Sequence, residues 1–360
     1  MILGYSLTPF GHHPDAWQDA RDSRHLGFEG LLAQVLAAES AGFAFVLLTD
    51  RMGLRPVDDL SSVAVPFEPT LLTSALATKA ARIGFIAAAA TTQHEPYNLA
   101  RRFASLDLIG IGRSGWLALT SNDDLDRESE YLNVVTALWD SFEDNAFLYD
   151  KAAGRFFDPA KMHVAHHKGP HFSVRGPLNV NRSPQGRPVI AQMLGEGDNG
   201  LALGSGELLL VQAPTADGLI GIAQEAAKAL KATGRASDQV RLVANIVPVV
   251  GASLQAAEEA SEALRFSTQH STAQPLRALR IVGTARMIAD QLQELAEAAH
   301  LDGFTILPPT LDMATGFLAD VVPELGRRGL IGGKTGHTLR EQLGLPRPLN
   351  PAGPTHELAP

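Results

Sequence analysis

Short apolar runs alternate with longer segments of helical periodicity along the whole 360-residue sequence. This alternation is typical of βαβ units around a parallel sheet. It predicts eight strands, the number found in a TIM barrel. The predicted strands are Ile2–Leu7, Ala44–Leu48, Ile83–Ala89, Trp116–Leu119, Val189–Gln192, Glu207–Val211, Val240–Val250 and Gly303–Leu307. We therefore expect an α/β fold of the TIM (β/α)8 type.

The segments between the strands predict helices that end at recognisable turns. Residues 28–36 repeat apolar side chains at helical spacing, and Gly42 suits the C-terminal cap of that helix. Residues 288–299 show the same spacing, and Asp302-Gly303 supplies the turn into the last strand. Because no linker interrupts this rhythm, we expect one barrel domain over residues 1–331.

Three stretches depart from the βα rhythm. Residues 147–187 are rich in Gly, Pro, His and Asn and have no sustained period, so we expect a long excursion outside the barrel after the fourth βα unit. Residues 267–279 also lack a period. The proline-rich residues 332–360 form a C-terminal extension, which we expect to wrap the surface or a neighbouring subunit.

Composition excludes several classes of function. The chain has no cysteine, which excludes disulfides, thiolate nucleophiles and Cys-ligated metals, so any redox chemistry must come from a bound cofactor. A formal net charge of −9 and a pI of 5.7 lack the basic footprint of a nucleic-acid-binding protein. No apolar run approaches the roughly 18 residues of a membrane span, and the N-terminus lacks a signal-peptide pattern. We therefore expect no nucleic-acid partner, no membrane partner and a cytoplasmic location.

Functional groups of a TIM barrel lie at the C-terminal ends of its strands. After the first predicted strand come Phe10, His12, His13 and Trp17. These side chains combine aromatic surface with hydrogen-bonding groups, which suits a hydrophobic substrate pocket. An exposed loop with no function is the alternative.

Polar side chains also follow the second and third predicted strands. Asp50 ends an apolar run and must find either a ligand or a partner such as Arg51. Thr91 and Thr92 precede a helix that begins near Tyr97. The two hydroxyl groups could face a bound heterocycle or could satisfy the turn and the helix start.

Other patterns argue against metal and nucleotide sites. The histidines at 163, 166, 167 and 171 lie in a loop-like segment without an acidic partner at Glu-x-x-His spacing, so we expect no metal site. The chain lacks GxxxxGK[ST], GxSxG and HExxH. P-loop and common hydrolase functions thus lose their usual support.

A series of colinear segments covers nearly the whole chain. They are GHH at 11–13 with Trp17, EPYNLARRFASLD at 95–107, ALWDSFED at 137–144, VRGPLN at 174–179, RSPQGRPVI at 182–190, VGT at 282–284, DGF at 302–304, VPELGRRGL at 322–330 and TLRE at 338–341. In this order they resemble the bacterial luciferase-like, FMN-dependent two-component monooxygenases. That family includes the nitrilotriacetate and dibenzothiophene-sulfone monooxygenases and a streptogramin synthase subunit.

The resemblance implies a cofactor and partners. It implies that the protein binds FMN in its reduced form, FMNH2, supplied by a separate NAD(P)H:flavin reductase, and oxygenates a small organic substrate with O2. By the same resemblance Asp50, Thr91 and Thr92 would contact the isoalloxazine. Tyr97, which opens the helix behind them, and Thr120, after the fourth strand, would also belong to the cofactor-binding site. An oligomer, formed from copies of the same chain, is expected by this analogy alone.

The sequence departs from the family pattern near the expected flavin phosphate. Relatives usually have asparagine at the place of Leu117, tyrosine at the place of Leu125 and a small hydroxyl residue at the place of Glu196, and a histidine-containing segment before residue 125 is missing here. Two like charges about 4 Å apart cost roughly 4 kcal/mol at an effective dielectric constant near 20, so Glu196 and Asp198 would weaken phosphate binding.

The leading hypothesis is an FMNH2-dependent monooxygenase of this family. One alternative is a barrel that has lost its cofactor and acts as a binding or partner subunit. Another is an oxidoreductase that uses the deazaflavin F420. The sequence singles out neither a substrate nor a catalytic base.

Overall fold

The computed structural model of the chain describes residues 1–18, 23–50, 67–267, 277–332 and 336–352. Arg51, most of the aperiodic stretch 267–279 and the end of the C-terminal extension lie outside the described residues. The strands are β1 (Ile2–Ser6), β2 (Phe45–Leu48), β3 (Gly84–Ala90), β4 (Ser114–Leu119), β5 (Phe147–Asp150), β6 (Arg155–Phe157), β7 (His167–Lys168), β8 (Ser173–Val174), β9 (Val189–Leu194), β10 (Leu208–Val211), β11 (Arg241–Val250), β12 (Leu279–Gly283) and β13 (Gly303–Ile306).

Eight parallel strands close into a barrel, as the sequence predicts. The ring order is β1, β2, β3, β4, β9, β10, β11 and β13, and β13 pairs back with β1. Every predicted strand is present, with ends that differ by no more than two residues. The sequence missed β12, a short strand that contains Arg280 and pairs only with the far half of β11, outside the ring.

Helices cover the outside of the barrel. They are α1 (Phe28–Ser40), α2 (Pro69–Ala77), α3 (Pro96–Ile109), α4 (Leu125–Trp139), α5 (Gly200–Ser205), α6 (Ala216–Ala232), α7 (Leu254–Ser267), α8 (Ala285–Ala299), α9 (Leu311–Gly316), α10 (Val322–Arg327) and α11 (Leu339–Leu343). A π-helical turn, Phe317–Val321, joins α9 to α10. The chain leaves α1 through Gly42 at φ +82°, which confirms the predicted cap. The chain leaves α8 through His300 in the left-handed conformation, so the predicted turn at Asp302-Gly303 comes two residues too late.

The barrel interior is a packed apolar core. Its buried side chains are Ile2, Phe45, Leu47, Ile86, Ala88, Leu117, Val189, Ala191, Leu208, Leu210 and Val243. Gly303 lets β13 approach β1 closely, because a Cβ at this position would clash with the backbone of Ile2. No helix among the described residues is long and apolar enough to cross a membrane.

The excursion lies between α4 and β9, outside the barrel as predicted. It contains two small antiparallel pairs, β5 with β6 and β7 with β8. Glu130 of α4 anchors it by accepting hydrogen bonds from His167 Nε2 at 2.7 Å and from the backbone N–H groups of His171 and Phe172 at 3.1 and 3.0 Å.

The C-terminal extension closes the amino-terminal end of the barrel. Leu339, Leu343 and Leu345 are buried with the interior core. Arg340 is also buried and donates two hydrogen bonds of 2.8 Å to the carboxylate of Glu207. The expectation that this segment wraps the outer surface is therefore wrong for residues 339–345, because their leucines fill the open end of the barrel.

The end of the excursion returns beneath the same end of the barrel. Gln185 Nε2 donates to Asp107 Oδ1 at 2.8 Å and to the carbonyl oxygen of Ser114 at 2.7 Å, and Ser183 Oγ donates to Asp107 Oδ2. Burial raises the pKa of Asp107 to about 6, against the opposing effect of these hydrogen bonds. The backbone N–H of Arg340 donates to Gln185 Oε1, which joins the two segments into one polar lock.

Candidate active site

Polar groups gather at the carboxyl ends of the barrel strands, where the site is expected. Asp50 follows β2, Thr92 follows β3 and Thr120 follows β4, and all three are at least partly exposed. Glu196 follows β9 and is exposed. The structure thus brings Asp50, Thr92 and Thr120 to the same end of the barrel.

Thr91 and Thr92, predicted as a pair, lie in different environments. Thr91 is fully buried, and its backbone N–H and its Oγ1 both donate to the carbonyl oxygen of Leu119, at 3.1 and 3.3 Å. Thr91 therefore ties the end of β3 to β4. Thr92 is exposed at the barrel end, so its side chain is the accessible one of the two.

His94, which the sequence analysis did not single out, lies close to Asp50. Burial and Arg102 lower the pKa of His94, while the carboxylates of Glu68 and Asp50 oppose that shift. The imidazole is therefore neutral at pH 7. The only sequence signal for it was its place in the loop between Thr91 and Tyr97.

Tyr97 faces the excursion. Its hydroxyl donates to the carbonyl oxygen of Pro177 over a long 3.5 Å. It also lines a cavity of about 510 Å³ between the start of α3 and residues 173–179. The structure thus places Tyr97 against the excursion.

The loop after β1 is clamped across the barrel end. His12 Nε2 lies 3.3 Å from the carbonyl oxygen of Ser6, and His13 Nε2 lies 2.7 Å from that of Leu264 in α7. Their backbone N–H groups donate to the carbonyl oxygens of Pro308 and Pro309. The loop therefore bridges β1, α7 and the segment after β13.

The four predicted pocket residues of this loop differ in exposure. Phe10 is buried, with its ring edge-on to His25 at 6.2 Å, whereas Trp17 is 42% exposed. His12 is largely buried, and this burial lowers the pKa of its imidazole to about 4 although the bond to Ser6 favours the charged form. Because Nε2 carries the proton that Ser6 accepts, Nδ1 of the neutral ring is a proton acceptor.

Three polar side chains inside the barrel lack hydrogen-bond partners. Ser6 Oγ, Asn245 Oδ1 and Thr305 Oγ1 are buried and make no hydrogen bond to the described residues. They lie on the adjacent strands β1, β11 and β13, and Asn245 and Thr305 are paired in register. Each buried polar group without a hydrogen bond costs about 1–3 kcal/mol of stability. A ligand that formed hydrogen bonds with this cluster would recover that free energy. The sequence signal was weak, a single polar residue within each apolar run.

Acidic side chains occupy the connections after β4 and β9. Asp124 Oδ1 accepts from the backbone N–H of Arg127 at 3.0 Å and so caps α4. Asp198 Oδ1 accepts from the N–H of Gly200 at 2.8 Å. Leu117 is buried in the barrel and Leu125 is 38% exposed. At these two positions, where the chain departs from the family pattern, the side chain is apolar.

Arg127 lies at the start of α4, beside Thr91, and its guanidinium group is already engaged. It pairs with Glu128 Oε1 at 2.8 Å, and its Nη2 donates to the carbonyl oxygen of Thr91 at 3.3 Å. The group also lies over the rings of Tyr131 and Phe172, at 5.8 and 5.1 Å from their centroids.

The excursion histidines pair with different carboxylates. His163 lies 2.8 Å from Glu143, His167 lies 2.7 Å from Glu130, and His171 lies 3.9 Å from Asp124. Because each contacts its own acid, they do not converge on one point. The described part of the chain contains no group of three or more metal-ligating side chains.

Comparison with known proteins identifies relatives along nearly the whole chain. A family model described as luciferase-like monooxygenase matches residues 6–302. N-acetyl-S-(2-succino)cysteine monooxygenase of Bacillus subtilis (strain 168) is 32% identical over 435 positions, covering 97% of each chain. Nitrilotriacetate monooxygenase component A of Aminobacter aminovorans is 32% identical, again covering 97% of each chain. One of the subunits of pristinamycin IIA synthase from Streptomyces pristinaespiralis is 46% identical over 158 residues, which cover 44% of this chain and 54% of that protein.

Solved structures agree with the sequence matches. EDTA monooxygenase from Chelativorans sp. BNC1 superposes with a TM-score of 0.81 at 28% identity, over 96% of this chain and 98% of that one. A riboflavin lyase solved with modified FMN and riboflavin gives a TM-score of 0.84 at 25% identity, over 96% and 95%. The alignment with the Bacillus relative has 435 positions and this chain only 360 residues, so at least 75 positions of that relative have no counterpart here.

Proposed function

This chain belongs to the luciferase-like monooxygenase family, and on that premise we propose that it is the oxygenating component of a two-component, flavin-dependent monooxygenase. A separate NAD(P)H:flavin reductase supplies the reduced flavin, which in this family is FMNH2. The enzyme uses O2 to oxygenate a small organic substrate.

One observation supports this proposal above the others. Two relatives that bear the name monooxygenase match 97% of the chain at 32% identity. These alignments extend over nearly the whole length of the chain and are not confined to a few motifs. Cysteine-free composition agrees with chemistry that resides in a bound cofactor.

The described residues fit the ring system of a flavin. Its pyrimidine edge carries carbonyl and N–H groups, and the unpartnered Ser6, Asn245 and Thr305 supply complementary donors and acceptors. Thr92 and Thr120 add hydroxyl groups at the barrel end, beside Asp50.

The protein itself positions the flavin and the substrate, encloses them and exchanges protons with them. Reduced flavin, when bound, supplies the electrons that activate O2. The loop that carries His12 and His13 covers the barrel end and excludes water, because both histidines fix it to other elements. The neutral His12 holds a proton at Nε2 and offers Nδ1 as an acceptor.

The test is a reconstituted reaction with a flavin reductase, NADH, flavin and isotopically labelled O2. We expect transfer of labelled oxygen to an organic substrate from a panel of amines, sulfides, sulfones and alkanes. Thr92→Val should lower the yield of oxygenated product, with Thr315→Val, an exposed threonine on α9, as the matched control. Absence of labelled product with every substrate, together with absence of flavin binding, would overturn the proposal.

A non-catalytic partner function is the second candidate, favoured by one comparison. The match to a pristinamycin IIA synthase subunit has 46% identity, and that protein is named as part of a multi-subunit enzyme. The alignment with the Bacillus monooxygenase also has 435 positions, whereas this chain has 360 residues, so at least 75 positions of that relative have no counterpart here. Co-expression with a full-length homologue encoded nearby tests it: activity that appears only in the mixed complex favours the partner function.

A further inference from the structure

The described connections at the carboxyl end of the barrel carry negative charge where a flavin phosphate would lie. Phosphates are bound by free backbone N–H groups at helix N-termini and by Arg or Lys side chains. The described connections on this end contain no Lys or Arg, and two of the helix starts carry a carboxylate.

In four of the helices that follow barrel strands, a side chain accepts a hydrogen bond from one N–H group of the first turn. The cap of α4 is Asp124, and Asp198 occupies the N–H of Gly200 at the start of α5. Thr215 accepts from Gly218 N–H at the start of α6, and Thr310 accepts from Met313 N–H in α9. Two of these caps are carboxylates, which place a negative charge where a phosphate would lie.

The described connections at this end contain acids but no Lys or Arg. These connections are residues 7–18, 49–50, 91–95, 120–124, 195–199, 212–215, 251–253 and 307–310. Their acidic residues are Asp15, Asp50, Glu95, Asp123, Asp124, Glu196 and Asp198. The guanidinium of Arg127, just inside α4, is engaged by Glu128 and the carbonyl oxygen of Thr91. A dianion at this end is therefore repelled by the described connections, which offer it no cation.

The part of the site proposed to hold the flavin ring is uncharged and favours binding. Ser6, Asn245 and Thr305 are buried and unpartnered, so an uncharged ring with carbonyl and N–H groups satisfies them without introducing charge. The site therefore favours the ring of a flavin and disfavours its phosphate.

We propose that this protein binds unphosphorylated flavin, that is riboflavin, at least as tightly as FMN. The proposal rests on the proposed function and deepens it, because it states which form of the flavin the same site takes.

The experiment is a pair of titrations of the full chain with riboflavin and with FMN, followed by quenching of flavin fluorescence at low and at high salt. We expect the Kd for FMN to equal or exceed the Kd for riboflavin at low salt. Added salt should tighten FMN binding and leave riboflavin unchanged, because screening weakens repulsion between like charges. FMN binding tenfold tighter than riboflavin binding, or FMN binding that weakens with salt, would overturn the proposal.

Two variants separate charge from shape. Glu196→Gln removes one exposed negative charge at the site and should tighten FMN binding roughly three- to tenfold, with riboflavin unaffected. Asp238→Asn is the matched control, because this exposed residue precedes β11 at the opposite end of the barrel. Equal effects of the two variants on FMN binding would contradict the assigned repulsion.

The outcomes also distinguish this inference from the proposed function. A strong preference for FMN overturns the inference and leaves the monooxygenase proposal standing. Failure to bind either flavin, oxidised or reduced, overturns both.

Discussion

His12 makes the fold sensitive to acid in a way that can be calculated. Burial lowers its pKa from 6.5 to about 4, so between these values the unfolded chain takes up a proton that the folded chain refuses. The free energy of unfolding therefore falls as pH falls through this window, by about 1.4 kcal/mol per pH unit. At pH 5 the accumulated loss is about 2 kcal/mol, and well above pH 6.5 His12 contributes no pH dependence.

The perturbation that isolates this effect is His12→Gln. Glutamine is uncharged at every pH and its Nε2 can donate to the carbonyl oxygen of Ser6 as the imidazole does. Urea unfolding of both proteins at pH 7.5 and pH 5 gives two differences in free energy. We expect the native chain to lose about 2 kcal/mol more than the variant.

The comparison with the variant is necessary because Asp107 acts in the opposite direction. Its pKa is raised to about 6, so its contribution to stability is lost as pH rises from about 4 to 6. In the native chain the two slopes oppose one another over the shared range. Only the difference between native and variant reports His12, and identical pH dependence in the two proteins would refute a buried, neutral His12.

Five substitutions test the closed end and the site. Leu339→Ala should lower the free energy of unfolding by about 3 kcal/mol, measured by urea denaturation, because the leucine is fully buried in the barrel end. Arg340→Met should cost a similar amount, roughly 3 kcal/mol, since it removes the guanidinium group that pairs with Glu207; an unchanged urea midpoint would contradict a stabilising ion pair. Asn245→Leu should leave stability unchanged or raise it by about 1 kcal/mol while weakening flavin binding, because it removes an unsatisfied amide; retained flavin affinity in fluorescence titration would exclude Asn245 from the site. Thr91→Val should lower stability by about 1 kcal/mol through the lost bond to Leu119, whereas Thr92→Val should affect only flavin affinity.

The fold was predictable because its strands are apolar runs of regular spacing. All eight barrel strands lie where the sequence placed them, since a strand buried on both faces leaves a continuous apolar run. β12 was missed because Leu279 and Arg280 are only partly buried and the strand lies outside the ring. The destination of α11 could not be predicted, because three leucines in a proline-rich tail do not reveal which cavity they fill.

The site was predictable in outline only. Position after a strand predicted that Asp50, Thr92 and Thr120 share the carboxyl end of the barrel, and the structure has them there. Sequence position could not distinguish Thr91 from Thr92, since one residue reverses the direction of a side chain at a strand end. The partnerless Ser6, Asn245 and Thr305 are visible only when the neighbouring strands are in register.

Two of the segments that identify the family lie at the end of the barrel opposite the site. RSPQGRP at 182–188 and TLRE at 338–341 build the polar lock around Asp107 and the plug that carries Leu339. These segments help to identify the fold, because they hold the closed end of the barrel together. Binding chemistry depends instead on the connections at the other end, where the described residues include acids and no Lys or Arg. Resemblance in the lock therefore carries no information about the phosphate, and the affinities for riboflavin and FMN must be measured independently of family membership.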